Sequence, residues 1–465
     1  MKLTIPDPKL RRALVTICRK VRAAGGRALV VGGTVRDALL GLPAVDLDLE
    51  VYGLAPERLQ ALLAEDFQLD LVGKSFGVIK LRGLPIDVSL PRRESKRGLG
   101  HKGFAVCSDP HLSLAEAAAR RDFTINAMAY DPLEEELLDP HGGARDLEAG
   151  VLRHVSEHFV EDPLRVLRAM QFAARFELRV APETVALCRR IEPEGLARER
   201  RWEEWKKLVL AGRRPSLGLA FWRDCGWLRY TPELAALVDC PQDPEWHPEG
   251  DVWTHTLHVM DAFAGERSGD EHDDLVVGFA CLCHDFGKPA TTVIGDDGRI
   301  RSPDHESQGE APTRAFLGRL TNQKELIDEV VALVREHLKP IQLYRSRAGP
   351  AAVRRLARRV GRIDLLVRVA RADHRGRPPR PFDGFPAGRW LLEQAEALAI
   401  ADRAPRPIVQ GRHLIALGLT PGRHFGPILR ALFEAQLDGA FHDLDGGLAY
   451  ARRLLAERDD KLEKS

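Results

Sequence analysis

At 465 residues the chain is too long for one hydrophobic core, and about two to four domains are expected. A formal net charge of +1, with 44% hydrophobic and 29% charged residues, suits globular domains and excludes a uniformly basic, histone-like protein. Seven scattered cysteines, a start broken by Pro6 and Pro8, and no long apolar run point to the cytoplasm rather than to secretion or a membrane.

In chain order, "RALVVGG" reads as a short strand ending in Gly32 and Gly33, and "TVRDALLG" as a helix closed by Gly41. "VDLDLEVYG" (45–53) follows. Its alternation places Asp46, Asp48 and Glu50 on one strand face and Val45, Leu47, Leu49 and Val51 on the other. "GVIKLRG" (77–83) and "PIDVSL" (85–90) are strand-like, and the basic, glycine-rich stretch 91–108 reads as a mobile loop. Helical patterns dominate from about 111, including "EDPLRVLRAMQFAARF", with Asp162 suited to N-cap and Pro163 to the first helical position. A histidine-rich helical block spans about 246–376. "RGRPPRPFDGFPAG" (375–388) reads as a linker, and short helices follow after 404.

A strand–Gly–Gly–helix turn lets backbone approach a ligand, and its helix N-terminus favours anions. Arg36 on the first turn could grip a phosphate bidentately. Paired carboxylates on one strand face suit Mg²⁺, a hard ion that takes oxygen ligands and bridges phosphates; the bland alternative is a solvated acidic strand. An Asp beside an Arg offers an acceptor and a donor, which matches the Watson–Crick edges of cytosine and adenine and opposes those of guanine and uracil. Asp162 and Arg165, three apart at a helix start, could share one face and do this without a template, or could be a cap and a surface charge.

Downstream lie His255, the adjacent His284 and Asp285, then His305, His337 and Asp373. One buried histidine is usually a satisfied core residue, but five or six such groups in helical context point to a divalent metal. Lys288 could neutralise phosphate there. Cys281 and Cys283, with no second finger-spaced pair, read as core. Arginine-rich stretches at 358–380 and 198–207, and the loop 91–102, are candidates for binding an RNA backbone, although such faces are usually just solvated. Trp202 and Trp205 read as core at their helical spacing.

"VGGTVRDALLGLPAVDLDLEV", "RRDFTINAMAYDP" and "EDPLRVLRAMQFAARF", in that order, resemble the class II tRNA nucleotidyltransferases. The resemblance implies catalytic, Mg²⁺-holding Asp46 and Asp48. It implies nucleotide binding by Gly32, Gly33, Arg36, Arg120, Arg121, Asp122, Asn126, Asp162, Arg165 and Arg168, with Glu161 opening the base-selecting motif. Glu50 lies outside the two-acid motif, and Asp87 is the candidate for any third acid. The order His255, His284-Asp285, His305, His337, Asp373 resembles the HD phosphohydrolases and implies Ni²⁺ or another divalent transition metal. Together the two halves resemble the bacterial multifunctional CCA proteins.

The implied architecture is a multidomain one. An α/β, polymerase-β-like nucleotidyltransferase head (1–150) precedes an all-α neck and body (151–245), a helical HD domain (246–376), and a linker with a helical tail (377–465). The implied partners are the tRNA 3′ end and acceptor stem with ATP and CTP, and the oligomeric state stays open between monomer and homodimer. Addition of CCA leads. A partial CC- or A-adding enzyme, a poly(A) polymerase, or an HD phosphohydrolase with a nucleotide- or RNA-binding head remain alternatives; "VGKSFGVIK" (72–80), which lacks a basic GRRF-like run, speaks against a poly(A) polymerase.

Overall fold

A computed structural model describes residues 3–70, 78–96 and 104–462 of the chain. The chain folds as two compact units, Met1–Tyr230 and Thr231–Ser465.

The first unit is built on strands β1 (Arg27–Val31), β2 (Leu47–Tyr52), β3 (Leu69–Asp70), β4 (Val78–Leu81), β5 (Ile86–Ser89), β6 (Arg92–Lys96), β7 (Phe104–Ser108), β8 (Ala129–Asp131) and β9 (Glu136–Leu138). Seven of them form one mixed sheet in the order β3-β4-β5-β2-β1-β8-β9. Strand β1 runs antiparallel to both β2 and β8, while the central strand β2 runs parallel to β5 with Asp48 opposite Asp87. In β2 the alternation holds only in part: Leu47, Leu49 and Val51 are at most 1% exposed and enter the core beneath helix Pro8–Ala23 and Asp48 is exposed, but Val45 lies before the strand and is 69% exposed, and Glu50 on the acidic face is buried.

The stretch 91–108 departs from the loop reading. Strands β6 and β7 pair there as an antiparallel hairpin, consistent with the strand-forming residues of "FAVCS". Its tip, residues 97–103, lies outside the described residues, as do residues 72–77 of the stretch weighed against a poly(A) polymerase.

Beyond the sheet the first unit is mostly helical: Leu164–Phe176, Pro182–Cys188, Arg198–Ala211 and Pro215–Asp224. It is not wholly so, because Val151–Leu152 and Arg179–Val180 pair as a short parallel ladder. Trp205, Trp222 and Trp227 stack edge to face in its core, and Trp202 is buried nearby.

The second unit packs helices Val252–Ala264, Glu271–Cys283, Lys324–Glu336 and Ile363–Arg375 around one another, with Cys281 and Cys283 fully buried as expected. The 375–388 stretch is not a linker. Phe385 is buried, Arg377 pairs with Asp373 at 2.6 Å, and helix Pro386–Ala397 packs back on helices Lys339–Arg345 and Ile363–Arg375. Proline and glycine suggested an open connection, but an ion pair and an apolar anchor tie it down. The tail has its own small core of Val409, Leu414, Ile428, Leu432, Phe441 and Ala451.

Candidate active sites

In the first unit the turn after β1 is made possible by Gly32, whose φ of +75° suits glycine alone. A side chain there would also meet the Arg121 guanidinium at 3.0 Å and approach the Asp48 carboxylate at 3.9 Å. Gly32, Arg121 and Asp48 therefore converge on one spot, while a side chain at Gly33 would meet the Arg36 guanidinium at 3.3 Å. Asp46 lies one residue before β2, exposed, its backbone carbonyl accepting from the Thr34 hydroxyl. Although Asp48 is exposed as a residue, partial loss of water around its carboxyl, with Asp87 and Asp46 close by, pushes that group above its usual range, while Arg121 opposes the shift. Crowded carboxylates of this kind fit a divalent cation, which would relieve the repulsion. Among the described residues Asp46 and Asp48 belong to no group of three or more metal-holding side chains.

The other two acids are engaged elsewhere. Glu50 is mostly buried, accepts from the Tyr52 hydroxyl and lies 3.8 Å from Arg121. Asp87 is the register partner of Asp48, but its carboxylate is held by Lys80 at 2.7 Å.

Arg36 does not stand free for a phosphate. Its Nε and Nη2 donate to Asp37 at 2.8 and 2.7 Å, its Nη1 donates to Asn126 at 2.6 Å, and its guanidinium lies over the Phe176 ring. Asn126 donates in turn to Asp122 Oδ1 at 3.0 Å, and Arg168 Nε donates to Asp122 Oδ2 at 2.6 Å. Asp122 also accepts from the Phe123 amide, which leaves room for about one more donor on its carboxylate. Burial works to raise its carboxyl, but Arg168 and Asn126 outweigh it and hold the group below the usual range. One polar chain thus runs from Asp37 through Arg36, Asn126 and Asp122 to Arg168.

The two residues expected to read a base are arranged differently from their sequence spacing. Asp162 and Arg165 part company. Asp162 Oδ1 accepts from the Leu164 amide at 3.0 Å, and Oδ2 accepts from Arg200 at 2.7 Å. The Arg165 guanidinium turns back to the carbonyls of His158 and Arg120, at 2.6 and 2.7 Å. Glu161 holds Arg120 at 2.7 Å. The helix begins at Leu164 with Pro163 as N-cap, so Asp162 caps from one position further out than expected. Arg200, the unforeseen partner, lay inside a stretch legible only as an RNA-binding candidate.

In the second unit all six expected groups meet. His255, His284 and Asp373 form one buried cluster, and Asp285, His305 and His337 a second. Ring centroids lie 5.2 Å apart for His255–His284 and 5.3 Å for both His284–His337 and His305–His337. Gly287 permits this, because any side chain there would collide with the His305 carbonyl, 1.9 Å from the Cβ position. His284 and Asp285 close helix Glu271–Cys283, and His337 closes Lys324–Glu336, so helix ends aim three of the groups inward.

The donor set fits a divalent transition metal. The Nε2 atoms of His284 and His305 and both Asp285 oxygens are buried without a hydrogen-bond partner. Lys288 Nζ lies 2.8 Å from Asp285 Oδ2 as an ion pair, and donates to Gln242 at 2.6 Å. Burial raises the Asp285 carboxyl, but His284 and Lys288 prevail and keep it well below its usual range. Burial, with His284 and His305 close by, lowers His337 to about 3, leaving a neutral imidazole able to ligate. A cavity of about 540 Å³ opens onto the cluster, walled by Lys288, Arg377, Arg380, Trp246 and Tyr344. Sequence reasoning missed Arg377, Trp246, His247 and Glu249. The last two precede the Asp251 N-cap of the His255 helix, where no periodicity marks them.

The arginine stripe at 358–380 is largely spent internally. Arg359 pairs with Glu336, Arg362 with Asp273 and Asp364, Arg368 with Asp274, and Arg371 and Arg375 with Glu266. Its arginines answer acids of neighbouring helices, which removes most of the free charge expected for an RNA backbone.

A mixed-sheet head with paired acids beside a glycine turn, followed by a helical His/Asp centre, defines a nucleotidyltransferase joined to an HD-type unit. Comparison with known proteins agrees: residues 28–153 match the Poly A polymerase head domain and residues 252–403 the HD domain. The chain is 42% identical over 387 residues to the multifunctional CCA protein of Xanthomonas campestris pv. campestris strain B100, covering 80% of this chain and 91% of that one. It is 39% identical over 392 residues to that of Laribacter hongkongensis, covering 81% and 93%. In fold it is similar to the Bacillus stearothermophilus CCA-adding enzyme solved with CTP, with a TM-score of 0.68, 22% identity and coverage of 98% and 100%. It is also similar to the Thermotoga maritima CCA-adding enzyme complexed with tRNA, with a TM-score of 0.58, 20% identity and coverage of 97% and 96%. The chain belongs to the multifunctional CCA protein family. No helix among the described residues is long and apolar enough to cross a membrane.

Proposed function

We propose that the chain adds CMP, CMP and AMP, from CTP and ATP, to the 3′ end of tRNA in the cytoplasm, and that its HD centre hydrolyses phosphomonoesters and 2′,3′-cyclic phosphodiesters. The observation that carries the first part is the continuous link from the Gly32 turn, facing Asp48, through the Arg36–Asn126–Asp122–Arg168 chain to the helix whose start bears Asp162. One compact unit thereby presents groups for a triphosphate, a ribose and a base edge.

Asp46 and Asp48 would hold Mg²⁺, which supplies activation of the terminal hydroxyl and neutralisation of the leaving pyrophosphate. Arg121 stands over the glycine turn, placed for phosphate oxygens. The remaining acceptor capacity of Asp122 faces a ribose hydroxyl in this reading. Asp162 accepts from the exocyclic amine shared by cytosine and adenine once Arg200 yields its place. In the HD unit, His255, His284, Asp285, His305, His337 and Asp373 would hold Ni²⁺ or another divalent transition metal, which supplies an activated water and polarises the phosphoryl oxygen. Lys288 and Arg377 line the cavity as phosphate-neutralising cations.

The test is direct. tRNA lacking its CCA end is incubated with each labelled NTP, and the products are sequenced. Incorporation of C, C and A in order is expected, lost in Asp46→Ala and Asp48→Ala while metal-dependent phosphoester hydrolysis persists. A folded wild type that incorporates neither C nor A would overturn the proposal.

A further inference from the structure

The HD centre does not treat its histidines alike. His284, His305 and His337 each set Nδ1 against the backbone carbonyl three residues earlier: Cys281 at 2.8 Å, Ser302 at 2.8 Å and Val334 at 2.7 Å. A proton donated to that carbonyl fixes the tautomer and leaves Nε2 as the lone-pair donor facing the cluster. His255 meets a carboxylate on that side instead. Its Nδ1 lies 2.7 Å from Oε1 of Glu249, with the Gly376 carbonyl at 3.1 Å, while its Nε2 faces Asp373 at 3.1 Å. The Glu249 side chain has no exposed surface, and its second oxygen has no hydrogen-bond partner. The same Oε1 accepts from His247 Nδ1 at 2.9 Å, and the His247 ring stands edge-on to His255 at 4.7 Å on the cavity wall.

A wholly buried carboxylate is costly unless its charge is used. A histidine that gives one nitrogen to a carboxylate and turns the other to a cation is a recurrent way to use it. The carboxylate orients the ring and makes it a stronger ligand. An ion seated on His247, Glu249 and His255 themselves would take Nδ1 of His255 and leave its proton on Nε2 toward Asp373, so the neutral imidazole could not also ligate at the cluster.

We propose that Glu249 is a positioning residue of the HD centre: it holds His255 with Nε2 turned to the metal position, and it pins His247 to the cavity wall. This rests on reading the HD cluster as a metal site.

The experiment uses the full chain stripped with a chelator and titrated with Co²⁺, read by visible absorption, for wild type, Glu249→Ala, Glu249→Gln and His247→Ala. Thermal unfolding and CCA addition report on the fold independently. Glu249→Ala is expected to weaken Co²⁺ binding by about 10- to 100-fold. Glu249→Gln keeps shape and one acceptor but loses charge, so a smaller loss in the same direction is expected, with an unchanged unfolding midpoint. His247→Ala is expected to stay within about threefold of wild type, because the His255–Glu249 contact survives. If Glu249→Ala does not fold, Glu249→Gln decides. Affinity within twofold of wild type in the folded Glu249 variants would overturn the proposal, as would a His247→Ala loss matching that of Glu249→Ala, which would make His247 a ligand. Wild type that takes up no Co²⁺ would overturn the metal reading of the HD cluster itself, a distinct result.

Discussion

Replacing Gly287 with alanine tests how the HD centre is assembled. The backbone φ of −81° at Gly287 suits any residue, so the cost is contact and not strain. The added Cβ would stand 1.9 Å from the His305 carbonyl oxygen and 2.7 Å from the Gly309 amide nitrogen. Both are backbone atoms of one short segment, so no side chain can step aside. Restoring an ordinary carbon–oxygen separation of about 3.4 Å requires the segment bearing His305 to withdraw by about 1.5 Å. Metal–ligand distances tolerate only about 0.2 Å. Overpacking of this kind costs on the order of 1–3 kcal/mol, which a domain of ordinary stability survives. The expected variant therefore folds, with a lower unfolding midpoint, and binds Co²⁺ at least tenfold more weakly because one imidazole no longer reaches. CCA addition, assigned to the other unit, continues at the wild-type rate. The assay pairs a Co²⁺ titration with single-turnover CTP incorporation on the same preparation. Wild-type Co²⁺ affinity in folded Gly287→Ala would refute the reasoning: either His305 is no ligand or its helix does not depend on the close approach.

Three further outcomes are expected. Asp162→Ala should lower kcat/KM for CTP and ATP alike by about 10- to 150-fold, the worth of a hydrogen bond to a charged group, and a loss confined to one nucleotide would count against a shared acceptor. Because the Asp122 carboxyl is held below its usual range, its contribution to stability is complete above about pH 4 and disappears as pH falls through the lowered folded value. The stability difference between wild type and Asp122→Asn, from urea unfolding, should therefore close on acidification below about pH 4; a gap constant from pH 7 to pH 3 would refute this. Arg371→Gln with Arg375→Gln removes cations already paired with Glu266, so the slope of log K for tRNA against log salt should change by less than one phosphate contact, about 0.7–0.9, in a filter-binding titration.

What the sequence disclosed depended on how local each determinant was. The acidic strand was readable because alternation maps directly onto faces, and burial of Leu47, Leu49 and Val51 matches it, whereas exposed Val45 and buried Glu50 depart from it. The six HD groups were readable as residue types in order, although it is the packing of their helices that brings them together. Contacts reaching across the fold were hidden. Nothing near Asp162 announces Arg200, 38 residues away. Nothing in the proline-rich 375–388 stretch announces that Arg377 answers Asp373. The arginines at 358–375 read as free charge until their acids on neighbouring helices are in view. His247 and Glu249 lack any spacing signal, since they lie in an irregular segment just ahead of a helix.

The polar chain from Asp37 to Arg168 has a mechanical consequence. Its links tie the turn facing Asp48 to the helix that starts beside Asp162 through charge-assisted and buried bonds. Such a brace resists hinging, because opening it would strand buried charges. A site that must take one base twice and then a different one would have to change its preference without bending this frame. The adjustable parts left to it are the unbraced ends, the Arg200–Asp162 latch and the Arg165 side chain, which can exchange partners while the frame stays still.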